Sequence, residues 1–342
     1  MRKLFLIFSL IVLICLGLWS IRQVNLPIFR AEKETRLMMG TYVTVIVLAP
    51  KEIAAKAINL AFIRMYEIDV KFNPINPQSP VYAFNTASEP ISDLEIIGLV
   101  NRALEISKES AGAFDITVAP LSELWGFYAK SLRVPSVDEI KECLRNVGYQ
   151  HLFFINGKLN KDNPAVKIDF GGIAKGYALA EAVRVLKDNG VTSALIDLGG
   201  DVYALGRKGA KPWKIGIKNP RAKGILGYIE VKDQAVSSSG DYERFFVENG
   251  KRYHHIFNPA TGYPTQGVAG VTLIHFDPVL AQAWAKIPFV LGPQEGIKAL
   301  NRIKNLQAVI ITTSGEIIYS KNKLEINNLQ DYALFSDKQS HK

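Results

Sequence analysis

The chain has 342 residues, 48% hydrophobic and 21% charged, a balance that excludes a disordered polypeptide and allows one large domain or two closely packed ones. Its net charge of +9 raises nucleic acid as a partner. The Lys and Arg residues are scattered, however, with no dense basic run and no nucleic-acid motif, so no nucleic acid is expected and the charge better suits phosphates or an anionic lipid surface.

Met1-Arg2-Lys3 precedes an apolar run from Leu4 to Ile21. Eighteen residues at helical rise make roughly 27 Å, enough to span a bilayer core. Basic residues ahead of the run predict a cytoplasmic N-terminus and an exported remainder. Leu18-Trp19-Ser20-Ile21 offers no small-residue cleavage site, and Ile14 before Cys15 does not suit a lipoprotein signal, so the segment reads as an uncleaved anchor over 1–27. The expected localisation is the cytoplasmic membrane, with the catalytic domain on the exported, periplasmic side. Only Cys143 remains beyond the anchor, so no internal disulfide forms there.

A linker is expected from Arg22 to Lys33, then a β-branched strand over Thr41–Leu48. A helix over Lys51–Lys71 follows from the apolar spacing of Ile53, Ala57, Leu60, Ile63 and Val70. Phe72–Pro90 holds four prolines and reads as a loop. A second helix runs over about Ser92–Ser110, and Ser136-Val137-Asp138-Glu139 is a capping box opening a third.

The second half alternates: a strand at Val166–Phe170, a helix at Lys175–Asp188, a strand at Ser193–Leu198, then strands with Gly and Pro turns from Val202 to Thr272. A helix follows from Val279 and another after Pro293. Leu306–Thr312 and Glu316–Tyr319 make a hairpin about Ser314-Gly315. The fold class is α+β, with a mixed sheet core and flanking helices over residues 28–320 and a loosely held polar tail over 321–342.

Tyr253-His254-His255-Ile256-Phe257-Asn258-Pro259-Ala260-Thr261-Gly262-Tyr263-Pro264 places a histidine pair at the end of a β-rich run, before tight turn signals. Histidine is the side chain that titrates nearest neutrality, which makes the pair a candidate for chemistry, although an edge strand and a tight loop explain it equally simply. Ile168-Asp169-Phe170-Gly171-Gly172-Ile173-Ala174-Lys175-Gly176-Tyr177 is a glycine turn opening a helix. Glycines admit close backbone approach and a helix N-terminus favours phosphate; a purely structural turn is the other reading. Leu198-Gly199-Gly200-Asp201, the aromatic corner Gly112–Phe127 and the hydroxyl-rich turn Ser237–Glu243 complete the set.

Taken in order, Met39-Gly40-Thr41, Gly112–Leu121 with Leu124–Phe127, Ile168–Tyr177, Asp197–Asp201, Ser239–Tyr242, His255–Pro264 and Phe289-Val290-Leu291-Gly292 resemble the ApbE-type FAD:protein FMN transferases, over about residues 33–320. The resemblance implies an ApbE/T-fold-like architecture. It also implies cleavage of FAD with magnesium and transfer of FMN to a Thr or Ser hydroxyl of a target flavoprotein, a subunit of a respiratory or electron-transfer complex, with release of AMP.

By the same resemblance Met39 lies against the isoalloxazine ring and Ala113, Phe114 and Asp115 line the flavin site. Asp169, Lys175 and Ile256 contact FAD, His255 and Asp241 are catalytic, and the carbonyls of Gly172 and Ala285 face Mg²⁺.

The chain departs from the family at the metal. Where Ala-Asp-Ala-x-Ala-Thr is usual, it reads Ala281-Gln282-Ala283-Trp284-Ala285-Lys286, so an amide replaces the carboxylate and an ammonium the hydroxyl. Magnesium prefers hard oxygen donors. Pro288 predicts a kink, Ile75 stands where Tyr is common, Asn258 replaces Asp, and Ala180 replaces a frequent Asp. A transferase with altered metal dependence is the first reading; a module that binds FAD or docks a flavoprotein, its transfer weak or lost, is the second.

Overall fold

The computed structural model describes residues 30–129 and 131–329. The anchor read over 1–27 and the end of the tail lie outside them. Among the described residues no helix is long and apolar enough to cross a membrane.

The chain opens with a hairpin, β1 (Ala31–Met38) and β2 (Thr41–Leu48), then runs through α1 (Lys51–Phe72), α2 (Pro80–Ala87) and α3 (Leu94–Glu109). A 3₁₀ turn at Ile116–Val118 leads into α4 (Ala119–Leu124) and α5 (Val137–Leu144), followed by a small hairpin, β3 (Leu152–Ile155) and β4 (Lys158–Lys161). After α6 (Ala174–Asp188) come β5 (Ala194–Leu198), β6 (Asp201–Leu205), β7 (Trp213–Lys218), β8 (Ile225–Val231), β9 (Gln234–Gly240), β10 (Phe245–Glu248), β11 (Lys251–His254) and β12 (Val268–His275). The described chain closes with α7 (Pro278–Trp284), α8 (Ile287–Leu291), α9 (Pro293–Leu300), β13 (Gln307–Thr312) and β14 (Ile317–Tyr319).

Eight strands form one sheet in the order β1-β2-β5-β6-β9-β12-β13-β14. Every ladder in it is antiparallel, which corrects the expected mixed sheet. The strand expected over 166–170 does not form: that segment joins no sheet. Its backbone is held instead by the Asn85 amide, which accepts from Ile168 N at 2.8 Å and donates to Ile168 O at 2.9 Å, and by Ile116 O, which accepts from Asp169 N at 2.7 Å. A side-chain amide thus supplies the pairing that a neighbouring strand would.

The α+β class stands. Two apolar layers sandwich the sheet. On one face Val43, Val45, Ile196 and Leu198 pack with α1, α3, α6 and α7; on the other Val202, Ala204, Val236 and Val309 pack beneath the β7–β8 hairpin through Trp213, Ile217 and Ile229. Strand β12 is buried along its whole length, as befits a central strand covered on both sides.

The capping box at Ser136 forms as expected, with both hydrogen bonds present. The 31–38 stretch, expected in part as linker, is strand β1, and the proline-rich loop contains helix α2, opened by the Ser79 side chain accepting from Val81 N. Residues 321–329 are not loose: Leu324 is buried, and Asn327 N donates to Tyr228 O at 2.7 Å. The helix over 278–291 breaks at Lys286 just before Pro288, as the proline dictates.

Candidate active site

The glycine turn is shaped by contacts on three sides. Asp169 accepts from the Tyr128 hydroxyl and from Gly171 N, and Phe114 lies over Gly172, where an added Cβ would stand 3.0 Å from its ring. Burial and the adjoining Asp169 carboxylate raise the Tyr128 phenol well above its ordinary value, so it remains a donor. At Gly176 an added Cβ would meet Pro278 O at 2.2 Å, so only glycine lets α6 approach α7 this closely.

Gln282, 1% exposed, fastens that approach: its Oε1 accepts from Gly176 N at 2.8 Å and its Nε2 donates to Gly171 O at 3.1 Å. Lys175 extends from the first turn of α6 to Asp201 at 3.6 Å, and buried Asp201 also accepts from Ser237. Lys286, at the break between α7 and α8, is close enough to Asp201 and Lys175 for their charges to interact. Burial pushes its ammonium down to about 8, Asp201 pulling it back up and Lys175 pushing it further down, which leaves it protonated at neutral pH.

His255 lies in the same electrostatic neighbourhood. Burial chiefly, then the Arg244 guanidinium and more weakly His254 and Lys286, push it down to about 3. Its Nδ1 is 3.2 Å from Arg244 O; a carbonyl accepts only, so Nδ1 carries the proton and Nε2 the lone pair. His254 is buried, with Nε2 donating to Thr265 O at 2.8 Å and Nδ1 accepting from Ile256 N at 3.3 Å, which makes it the brace of the turn. Behind both sits an aromatic cluster of Trp125, Phe127, Phe246, Tyr253, Phe257 and Tyr263, and Trp125 Nε1 donates to Gly262 O at 3.0 Å. A cleft of about 360 Å³ runs between the 258–266 turn and α8.

The expected residues divide into those with side chains at the cluster and those that position it. Lys175 pairs with Asp201, and the charge of Lys286 is felt by His255 and feels that pair. Asp115 is given to the backbone: it accepts from Thr117 N at 2.8 Å, Thr117 Oγ1 at 2.7 Å and Tyr149 N at 2.7 Å. Asp241, 4% exposed, faces two guanidiniums, Arg221 at 2.7 and 2.6 Å and Arg252 at 3.2 Å. Met39 sits in a left-handed turn, φ 50°, its N donating to Asp69 at 2.7 Å. Ala113, Phe114, Ile256 and Ala285 are buried, and Gly172 lies against the Phe114 ring.

Asn85, Tyr128, Arg221 and Arg252 were not anticipated from sequence. Their partners lie 11 to 83 residues away, beyond any local motif. Asn258 keeps a turn role, its Oδ1 accepting from Ala260 N at 2.9 Å, and Ile75 is exposed.

The ApbE family sequence profile matches residues 39–310. The chain belongs to the ApbE family. An FAD:protein FMN transferase of Klebsiella pneumoniae is 34% identical over 243 residues, 69% of this chain and 73% of that protein. One from Escherichia coli K12 is 31% identical over 237 residues, 66% of this chain and 67% of its own. Among solved structures, the ApbE protein of Thermotoga maritima superposes with a TM-score of 0.81 at 36% identity, covering 90% of this chain and 99% of that one. The apo flavinyl transferase ApbE of Pseudomonas stutzeri gives 0.76 at 31%, covering 86% and 95%.

Imidazoles whose pKa values the fold lowers make the chain acid-sensitive, His254 and His275 being buried and His255 half-buried. Burial lowers His254, His255 and His275 in the fold. The unfolded chain titrates near 6.5 and so binds more protons below that pH. Stability is therefore complete above about pH 6.5 and declines as pH falls toward the folded values. Calorimetry should show a lower Tm at pH 5 than at pH 7.5, and a flatter profile for His255→Gln. Parallel profiles for the two proteins would contradict the assignment.

Proposed function

We propose that this chain is an FAD:protein FMN transferase, moving FMN from FAD to a Thr or Ser hydroxyl of a target flavoprotein and releasing AMP. The observation that carries the reading is the Lys175–Asp201 pair beside the glycine turn that Gln282 braces at the start of α6, in a chain whose relatives bear that activity by name.

In the reaction the acceptor hydroxyl oxygen bonds to the FMN-side phosphorus. The P–O bond to the adenylate breaks, and its electron pair leaves on AMP. His255 takes the hydroxyl proton at Nε2 and passes it to solvent. The lysines hold the diphosphate and face the charge that grows on the departing phosphate. Met39, Ala113, Phe114 and Ile256 form the flavin side. Asp115, Asp169 and Asp241 act on the site through the backbone and guanidinium groups they hold. On the same reading the segment over 1–27 serves as an anchor that holds this domain at the exported face of the cytoplasmic membrane, to meet as acceptor a flavoprotein subunit of an electron-transfer complex.

Magnesium does not fit the residues present. Both polar atoms of the Gln282 amide are engaged with Gly171 and Gly176, and Lys286 brings a cation where the family has a hydroxyl ligand. Among the described residues no group of three or more His, Cys, Asp or Glu side chains could hold a metal. No catalytic step is therefore routed through the Gly172 and Ala285 carbonyls.

The test mixes the full-length chain with FAD and a flavoprotein subunit bearing the acceptor threonine, and reads covalent flavin by fluorescence on a denaturing gel. A fluorescent acceptor is expected, with His255→Ala lowering the transfer rate about a hundredfold, the scale of a lost general base. FAD binding without a labelled acceptor would favour the binding-module reading, and transfer by His255→Ala at the parental rate would remove the histidine from the chemistry.

A further inference from the structure

Gln282 and Lys286 replace the acid and the hydroxyl, and the structure gives each replacement a definite task. A carboxylate at 282 could accept from Gly176 N but would repel Gly171 O, to which the amide donates at 3.1 Å. The amide is thus matched to the turn it now braces, and as a neutral group already accepting from Gly176 N it is a poor ligand for a hard divalent cation.

Lys286 changes the charge of the site. Lys286 follows Gln282 by four residues and so falls on the helix face that Gln282 turns toward Gly171 and Gly176, beside the start of α6, where the Lys175 ammonium is 3.6 Å from Asp201. Two ammonium groups against one carboxylate leave a surplus of +1 where burial withdraws water, and like charges there repel more strongly than in water. An anion seated between them relieves that repulsion. A polar group in need of a partner lies on the same face: Ser237 and Ser239 alternate along β9 to one side of the sheet, Ser237 donates to Asp201, and the buried Ser239 hydroxyl has no hydrogen-bond partner among the described residues.

We propose that Lys286 stands in for the divalent cation: its ammonium, together with that of Lys175, binds the diphosphate of the flavin nucleotide directly, so that this chain holds its donor without magnesium. The inference rests on the FAD reading above and deepens it by naming what neutralises the diphosphate. An ammonium is no Lewis acid and supplies only charge and N–H donors, but it needs no metal from the surroundings.

The experiment measures equilibrium binding of FAD, by flavin fluorescence, and of ADP, a diphosphate without flavin, by calorimetry. Each is measured on the full-length chain in EDTA and in excess MgCl₂. The native chain is expected to show the same Kd in both media. Lys286→Met, which keeps the apolar stem and removes a half-buried charge, should fold with an unchanged or higher Tm and bind both nucleotides about tenfold or more weakly. Lys286→Arg should recover much of the loss.

Binding that requires magnesium, or Lys286→Met binding as tightly as the native chain, overturns the proposal and leaves the FAD reading standing. Magnesium-independent ADP binding that falls in Lys286→Met, with FAD held no more tightly than ADP, supports the lysine and removes the flavin.

Discussion

Replacing Trp125 with alanine is expected to cost the fold about 4 kcal/mol, within the usual range for removing a buried tryptophan. The side chain is fully buried and packs on Phe246, Tyr253, Phe257 and Tyr263, with centroid separations of 6.4, 5.4, 6.1 and 5.9 Å. Its indole N–H also satisfies Gly262 O at 3.0 Å, so truncation leaves a buried carbonyl unpaired as well as a void. Three of its four ring partners lie in the 253–263 turn that carries His255. Urea denaturation should report the loss, with Trp125→Phe retaining a substantial part of the stability because a ring remains. A cost below about 1 kcal/mol for the alanine variant would mean that the cluster does not hold the turn.

Asp241→Asn is expected to cost about 3 kcal/mol, because it strips charge from a carboxylate that two guanidiniums face. Asp241 is 4% exposed, so little water is available to replace it. Adding Arg221→Gln to the variant should recover part of the loss, since one fewer guanidinium is then left uncompensated. The outcome also decides how the residue serves the reaction. A group acting directly on the substrate would lose turnover with stability intact, whereas a brace loses stability first. Chemical denaturation and the transfer rate, read on the same preparation, separate the two.

Much of the site was legible because its parts are short and local. The glycine turn before α6, the Gly199-Gly200 turn and the run from His255 to Pro264 each announce themselves through backbone needs that only Gly, Pro and Asn meet. At Gly199 the φ is +64° and an added Cβ would meet the Thr41 hydroxyl at 2.4 Å, so the sequence there states a constraint the fold confirms. The substitutions at Gln282 and Lys286 were equally visible, since they break a local pattern.

The roles of individual acids were not legible in this way. Asp115, Asp169 and Asp241 look alike as candidates for chemistry, and the fold gives them to Thr117 and Tyr149, to Tyr128 and Gly171, and to Arg221 and Arg252. Whether a carboxylate is free to react depends on what approaches it from elsewhere in the chain.

The strand misread at 166–170 has the same origin. Val166, Ile168 and Phe170 carry the composition of a buried strand, and they are buried, but Asn85, at the far end of a different helix, takes the hydrogen bonds. Periodicity reports which side chains leave water; it does not report which backbone they pair with.

The sequence by itself determined the α+β class, the long helices, the hairpin at the C-terminal end of the sheet and the identity of the turns, because these depend on local periodicity and on residues with unusual backbone freedom. Tertiary structure alone decided that the sheet is antiparallel, that Asp241 faces Arg221 and Arg252, and that Lys175 pairs with Asp201. Those outcomes rest on contacts between segments tens of residues apart, where charge, burial and hydrogen-bond geometry are set jointly by both partners.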